Sequence, residues 1–400
     1  MKRILLLMVC ALCCGVLEAF KSLSEAQKFA KAFEENEKME TDVQELKDML
    51  GYLVNQRENV GYSGRYVVKI TPYPSSQFII WGPTKGAFRS LVRSLTYLQT
   101  KNIIDDNFKI RAPDSYFVFT GDVLNGTPHL LETFILVLSL MKANPATVIY
   151  LRGKKEDFLH WQNNGLKAAL KNKAGHISAE KIPLGRIVTR FFETLPLALY
   201  ITGENPEKGL VRISYFSGDN KELEERACRA LTSSRMVNVP EMCSLSIVPR
   251  APLTVKAIIK AEDRVMSYKY HEGLTLVEPD RGATAWTVFS APTTHYRENY
   301  QFYYDTFSVI KTTAKLKDFR ITLYNRDMRG FDPLFKEVGT YSLLTGQKMV
   351  ENRVAQKSGP SDAILRAHIE ELQGRIKKLA AQIVQYRQAL YDLPNQGERL

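Results

Sequence analysis

The chain has 400 residues, 44% of them hydrophobic and 24% charged, which is enough apolar material for one large core with accessory segments and excludes a collagen-like or wholly disordered protein. Its 55 Lys and Arg against 43 Asp and Glu leave a formal charge of +12, which favours acidic partners. Nucleic acid is disfavoured among them, because no RNA- or DNA-binding motif and no Cys/His zinc spacing accompanies the charge.

At the N-terminus, Lys2 and Arg3 precede the apolar run Ile4 to Val16, and small or neutral residues follow up to Ala19. That is the layout of a secretory signal peptide over 1–19, with an apolar run too short to span a bilayer comfortably. The expectation is a chain exported from the cytoplasm, periplasmic or secreted, that touches a membrane only through this segment; an uncleaved anchor is the alternative. Cleavage would remove Cys10, Cys13 and Cys14 and leave Cys228 and Cys243. In an oxidising compartment these two form a candidate disulfide, contributing on the order of 3 kcal/mol. Two separate buried thiols are the competing expectation.

A helical hairpin is expected over 20–60. Ser22 with Glu25, and Thr41 with Gln44, have the spacing of capping boxes. The first helix would bury Phe29 and Phe33, and the second Val43, Leu46, Leu50 and Leu53, ending near Gln56. Over 61–345, short β-rich runs (Tyr66 to Ile70, Phe78 to Trp81, Tyr116 to Thr120, Thr147 to Leu151) alternate with helical patterns such as Leu130 to Met141. Strands alternating with helices predict an α/β or α+β domain with a largely covered sheet. Residues 346–360 are polar and close in Ser-Gly-Pro, as a linker would.

Over 361–394, apolar residues recur at alternating steps of four and three. Ile369, Ile376, Ile383 and Leu390 take position a of a heptad, and Leu365, Leu372, Leu379, Tyr386 and Leu393 take position d. Isoleucine at a with leucine at d favours a parallel dimer, so self-association through a coiled coil is expected. A long helix folded back on its own domain is the alternative, kept open by the scarcity of opposed charges at Gln373, Ala380 and Ala389.

From Phe117 the chain runs FVFTGDVLNGTPHLLETFILVLSLMKANPATVIYLRGKKED: strand, Gly-Asp turn, helix, Asn-Pro break, second strand and second Gly turn. This resembles the calcineurin-like metallophosphatases, and most closely the phosphoprotein phosphatase family that dephosphorylates serine and threonine. That family has GDxVDRG, a helix containing LET, and LRGNHE in the corresponding places. FIIWGPTKGAFRSLVRSL from Phe78 resembles its GDxHG motif and following helix. LPLALYI from Leu195 resembles the segment before its HGG motif, and TVFSAPTTHY from Thr287 resembles its FSAPNY segment. The resemblance covers roughly Tyr66 to Ile310 and implies a calcineurin-like β-sandwich flanked by helices.

In that family two metal ions, about 3.5–4 Å apart, clamp the phosphate and activate a bridging water. The resemblance places almost none of the required ligands here. The family's first aspartate and histidine fall on Pro83 and Lys85. The bridging aspartate is kept as Asp122, but the later aspartate falls on Asn125 and the phosphate-binding arginine on Gly126. The asparagine ligand and the acid histidine fall on Lys154 and Lys155. The HGG histidine falls on Phe216, or on Tyr215 with a one-residue slip, and the remaining metal histidine on Glu262. None of His129, His160, His176, His271, His295 and His368 aligns with a metal position.

The function expected is therefore that of a pseudophosphatase: an inactive, exported binding or scaffold component with an unidentified protein partner and no cofactor. Lys85 or Lys154 is expected to reach Asp122 in place of a lost metal, because an uncompensated buried carboxylate is costly, with Lys155 the more exposed. One alternative is an active phosphatase or secreted effector with relocated ligands for manganese, iron or zinc, built around His129, His160, His295 and Asp122. The other is a phosphopeptide-binding module that uses Lys85, Lys154 and Lys155 as an anion site. For the heptads, Leu372→Asp with Leu379→Asp should convert a dimer to monomers by light scattering; an unchanged mass would favour the folded-back helix.

Overall fold

Two runs, Gln77–Trp81 (β4) and Ser115–Phe119 (β5), are apolar at nearly every position, which a strand tolerates only when both of its faces are covered. The computed structural model covers both. It describes residues 16–17, 20–32, 40–41, 43–59, 61–62, 67–124, 129–156, 158–162, 165–174, 184–202, 210–215, 255–261, 273–280, 283–290, 303–312, 319–329 and 334–349. Outside these lie residues 1–15 of the expected signal segment, Cys228 and Cys243 of the candidate disulfide, residues 350–360 of the expected linker and the whole of the expected heptad segment. The chain divides into two units, Met1–Met349 and Val350–Leu400, and only the first contains described residues.

The described part is an α/β sandwich of two six-stranded mixed sheets flanked by helices, the architecture that the resemblance to calcineurin-like phosphatases implies. One sheet has the order β14-β13-β12-β4-β5-β6, where β6 is Val148–Tyr150, β12 Tyr304–Thr312, β13 Phe319–Asp327 and β14 Lys336–Ser342. Its β4, β5 and β6 are parallel, and β12, β13 and β14 form an antiparallel meander joined to β4. Parallel neighbours need crossovers, and helices Phe88–Thr100 (α3) and Leu130–Ala143 (α4) supply them. The other sheet has the order β10-β11-β9-β8-β7-β3, comprising Val68–Ile70 (β3), Ala198–Thr202 (β7), Leu210–Ser214 (β8), Val255–Ala261 (β9), Leu274–Asp280 (β10) and Ala283–Val288 (β11).

Because successive side chains of a strand point to opposite faces, β4 and β5 feed two cores. Phe78, Ile80, Tyr116 and Val118 pack between the sheets with Ile201, Ile213, Ile259 and Trp286 of the opposite sheet. Ile79, Trp81, Phe117 and Phe119 face the other way, into a core shared with the helices. Trp81 stacks on Phe119 with centroids 5.0 Å apart, meets Phe117 edge-on at 5.1 Å, and donates its indole N–H to Ser94 Oγ on α3 at 3.0 Å.

Leu23–Ala32 (α1) and Val43–Asn59 (α2) form where capping predicts, with Glu25 N–H donating to Ser22 Oγ at 3.1 Å. The second runs three residues past Gln56, to Asn59. Among the described residues α1 packs on α3, and α2 on α4 and Leu184–Glu193, the last helix of this stretch (α7, after Phe158–Trp161, α5, and Leu166–Ala174, α6). Leu23, Leu46, Leu50 and Leu53 thus belong to the same core as Trp81 and Phe119, so the two helices form part of the main body's helical layer. Residues Val16–Leu17 (β1) pair in parallel with Glu40–Thr41 (β2). No helix among the described residues is long and apolar enough to cross a membrane.

Trp81→Ala should lower stability by about 3–5 kcal/mol, as for other large-to-small core changes, read as a shift in the urea midpoint. An unchanged midpoint would mean that Trp81 does not tie β4 to the helical layer.

Candidate functional site

In sheets with parallel strands, ligands collect beyond the carboxyl ends of those strands. Here three turns leave those ends side by side: Gly82 to Gly86 after β4, Gly121 to Leu124 after β5, and Leu151 to Glu156 after β6. Backbone hydrogen bonds fasten the first turn to the second, as Lys85 N–H donates to Asp122 O at 3.1 Å and Gly86 N–H to Val123 O at 2.8 Å. The β11 end joins them through Gly82 N–H, which donates to Ser290 Oγ at 2.9 Å.

The second and third turns are held together by one buried carboxylate. Glu156 accepts hydrogen bonds from Asp122 N–H (2.9 Å), Val123 N–H (3.0 Å), Gly153 N–H (2.9 Å) and Tyr150 Oη–H (2.7 Å). The turns approach so closely that glycine is required on both sides. A Cβ on Gly153 would lie 2.2 Å from Asp122 N, and one on Gly121, whose φ is +100°, would lie 2.5 Å from Gly153 N. Asp122 itself adopts φ 50° and is fully buried; its short side chain makes that left-handed conformation tolerable. Its Oδ1 accepts the Lys155 backbone N–H at 2.8 Å.

Burial, and secondarily the Asp122 charge, raise the Glu156 carboxyl from its ordinary range to about 7, opposed by the Tyr150 hydroxyl and the backbone N–H groups that favour the ionised form. The Tyr150 phenol is pushed well above its ordinary value, first by burial and then by Glu156.

The structure brings Pro83, Lys85, Asp122, Lys154 and Lys155 together on these three turns, as the motif order implies. Asn125, Gly126, Phe216 and Glu262 lie outside the described residues. Tyr215 and Ala261, their neighbours at the ends of β8 and β9, are described. Lys85 is half-buried with its ammonium over the Phe289 ring, 5.2 Å from the centroid, a cation–π arrangement. Lys154 is exposed and forms no ion pair among the described residues, so the expected Lys154 contact with Asp122 is not made. The order of exposure is also the reverse of that expected: Lys155 is half-buried, because its backbone N–H is drawn onto Asp122, while Lys154 sits at the tip of the bend.

These side chains do not fit a dimetal centre. Pro83 has no ligating side-chain atom, the lysines offer no carboxylate, imidazole or amide ligand, and the Asp122 carboxylate already accepts a main-chain N–H. Among the described residues no group of three or more His, Cys, Asp or Glu side chains gathers as a metal site. Of the histidines, His129 and His160 are half-buried, and His176, His271, His295 and His368 lie outside the described residues.

Glu156 is the site residue that sequence reasoning passed over. The signal was present, since LRGKKE ends in the same residue as the LRGNHE segment that it resembles. Arg152 has a similar structural role, donating through Nη2 to Glu193 O at 2.6 Å and Leu195 O at 3.1 Å.

No family model matches the chain, and no curated protein does. Among solved structures the chain is similar to a serine/threonine phosphatase from Saccharomyces cerevisiae with similarity to human phosphatase PP5, at 16% identity and a TM-score of 0.41, covering 67% of this chain and 82% of that one. It is similar at 9% identity and a TM-score of 0.36 to the cold-active protein-tyrosine phosphatase of a psychrophilic Shewanella, covering 68% and 81%. Vps29 from Chaetomium thermophilum is similar at 10% identity and a TM-score of 0.32, over 67% of this chain and the whole of that one. These likenesses are distant, and the site's own residues carry its chemistry.

Because the folded-state pKa of Glu156 is raised, the native state holds its proton more tightly than the unfolded state does. Its contribution is greatest below the unfolded value of 4.5 and declines as pH rises through about 7. Urea denaturation at several pH values should show a decline between pH 5 and 8 that Glu156→Gln removes. The same pH dependence in both proteins would contradict this assignment.

Proposed function

We propose that this chain is a catalytically inactive phosphatase-like protein, a pseudophosphatase, that acts by binding other proteins. The supporting observation is a division within one site. The backbone cradle survives, tied by Glu156 and closed by Gly121 against Gly153, whereas four positions that would carry ligands or the proton donor hold Pro83, Lys85, Lys154 and Lys155. Two-metal hydrolysis needs carboxylate, imidazole and amide ligands around the phosphate. Proline and ammonium groups cannot replace them, so the reaction has neither its activated water nor the histidine that would protonate the leaving group. Fold alone does not restore an activity.

In this proposal the protein is exported through its N-terminal segment, associates with itself through the C-terminal heptads, and carries neither manganese, iron nor zinc as a cofactor. Its partner is a protein, and the retained α/β sandwich supplies the rigid surfaces on which binding residues are displayed.

Turnover tests the proposal directly. Purified full-length protein supplied with manganese should hydrolyse p-nitrophenyl phosphate and a phosphoserine peptide no faster than buffer does. Sustained turnover in the ordinary enzyme range, about 1 per second or more, would overturn it.

A further inference from the structure

A second cluster of charge stands at the same end of the sandwich, outside the three turns. Strand β12 runs antiparallel to β4, with Ser308 opposite Ile80, so Tyr304 and Asp305 extend past the carboxyl end of β4, where the turns lie. Phe289, over which the Lys85 ammonium sits, packs against Ala87 and Tyr304 and joins the two regions.

Asp305 is almost fully buried and binds two arginines. Arg93 on α3 donates Nε (2.6 Å) and Nη2 (3.0 Å) to it, and Arg326 on β13 donates Nη1 at 3.2 Å. Both guanidinium groups also touch Met328 Sδ, at 3.3 Å and 3.2 Å. Sharing one carboxylate fixes both arginines while neutralising one charge of two. Their side chains stay 28% and 17% exposed. Arg89 lies one turn before Arg93 on α3, and residues four apart share a helix face. The Nε atoms of Arg89 and Arg326 are buried and have no hydrogen-bond partner among the described residues. Arg329 completes the edge: it pairs with Asp327 at 2.8 Å, lies over the Tyr303 ring at 4.8 Å from its centroid, and donates to Tyr304 Oη at 3.2 Å.

We infer that Arg89, Arg93, Arg326 and Arg329 form a preorganised site for the phosphate group of a phosphorylated protein segment. Among the described residues these four guanidinium groups stand against the carboxylates of Asp305 and Asp327, an excess of positive charge suited to a dianion more than to a single carboxylate. Arginine N–H groups suit phosphate oxygens, and with Nε and Nη2 of Arg93 and Arg329 held by Asp305 and Asp327, it is their remaining N–H groups that would meet the phosphate. Asp305 sets the orientation of Arg93 and Arg326, and Asp327 with Tyr304 that of Arg329, so little freedom of these three side chains is lost on binding. The inference rests on the binding function proposed above and gives it a ligand class, with the phosphate held on the arginines and not on Lys154 and Lys155.

The test uses the full-length protein and a labelled alanine-rich peptide carrying one phosphoserine, with its serine twin, measured by fluorescence anisotropy at low salt. The phosphorylated form should bind about tenfold tighter or more, in keeping with charge-assisted hydrogen bonds. Arg89→Ala and Arg329→Ala, each with an unchanged near-ultraviolet circular dichroism spectrum, should each remove most of that difference, while Lys154→Ala with Lys155→Ala should leave it in place. Phosphopeptide binding no tighter than the twin's overturns the inference, as does loss of binding in the lysine variant but not in the arginine variants. Hydrolysis of the probe would instead overturn the proposed inactivity, so the two failures are distinguishable.

Discussion

The arrangement depends on a carboxylate that never reaches solvent. Glu156 is 1% exposed and collects three backbone N–H groups and a phenol. A buried carboxylate is costly unless hydrogen-bonded, and here the donors come from two different turns, so satisfying the charge and joining the turns are one event. The glycines follow from that closeness, since any Cβ at Gly153 would collide with the main chain of Asp122. The left-handed backbone of Asp122 follows as well, because its N–H must point at Glu156 while its carbonyl meets Lys85 N–H.

That architecture is made by the polypeptide itself. A metal centre contributes to stability when its ligands are gathered in the folded state, but these turns are gathered by main-chain hydrogen bonds and one glutamate. Side chains on these turns can therefore vary without loss of the cradle. Lys85 illustrates the outcome: its backbone stays in the network through Asp122 O, while its ammonium lies on the face of Phe289. The arginines around Asp305 show the same economy at the neighbouring edge, with one buried carboxylate orienting two side chains from elements far apart in sequence.

Much of this was legible in the sequence, for reasons that can be traced to residues. The β-rich runs Phe78 to Trp81 and Tyr116 to Thr120 announced strands, which the structure sets at Gln77–Trp81 and Ser115–Phe119, and Leu130 to Met141 announced a helix that the structure extends to Ala143. Motif order placed Pro83, Lys85, Asp122, Lys154 and Lys155 on adjacent turns. The seating of α1 and α2 was not legible, because an amphipathic face says what is buried and not against what. The glutamate of LRGKKE was visible in the motif, but the groups it would join were not, because they are mostly backbone N–H groups, which leave no mark in a sequence. The Arg93 pairing with Asp305, 212 residues away, left none either.

Metal stoichiometry tests the central claim most directly: that the cradle persists without the means to hold metal. Protein purified without chelators, incubated with manganese and desalted, should carry far less than one equivalent of manganese, iron or zinc by inductively coupled plasma mass spectrometry while remaining folded. Two equivalents per chain would contradict the claim and show that ligands lie elsewhere in the molecule.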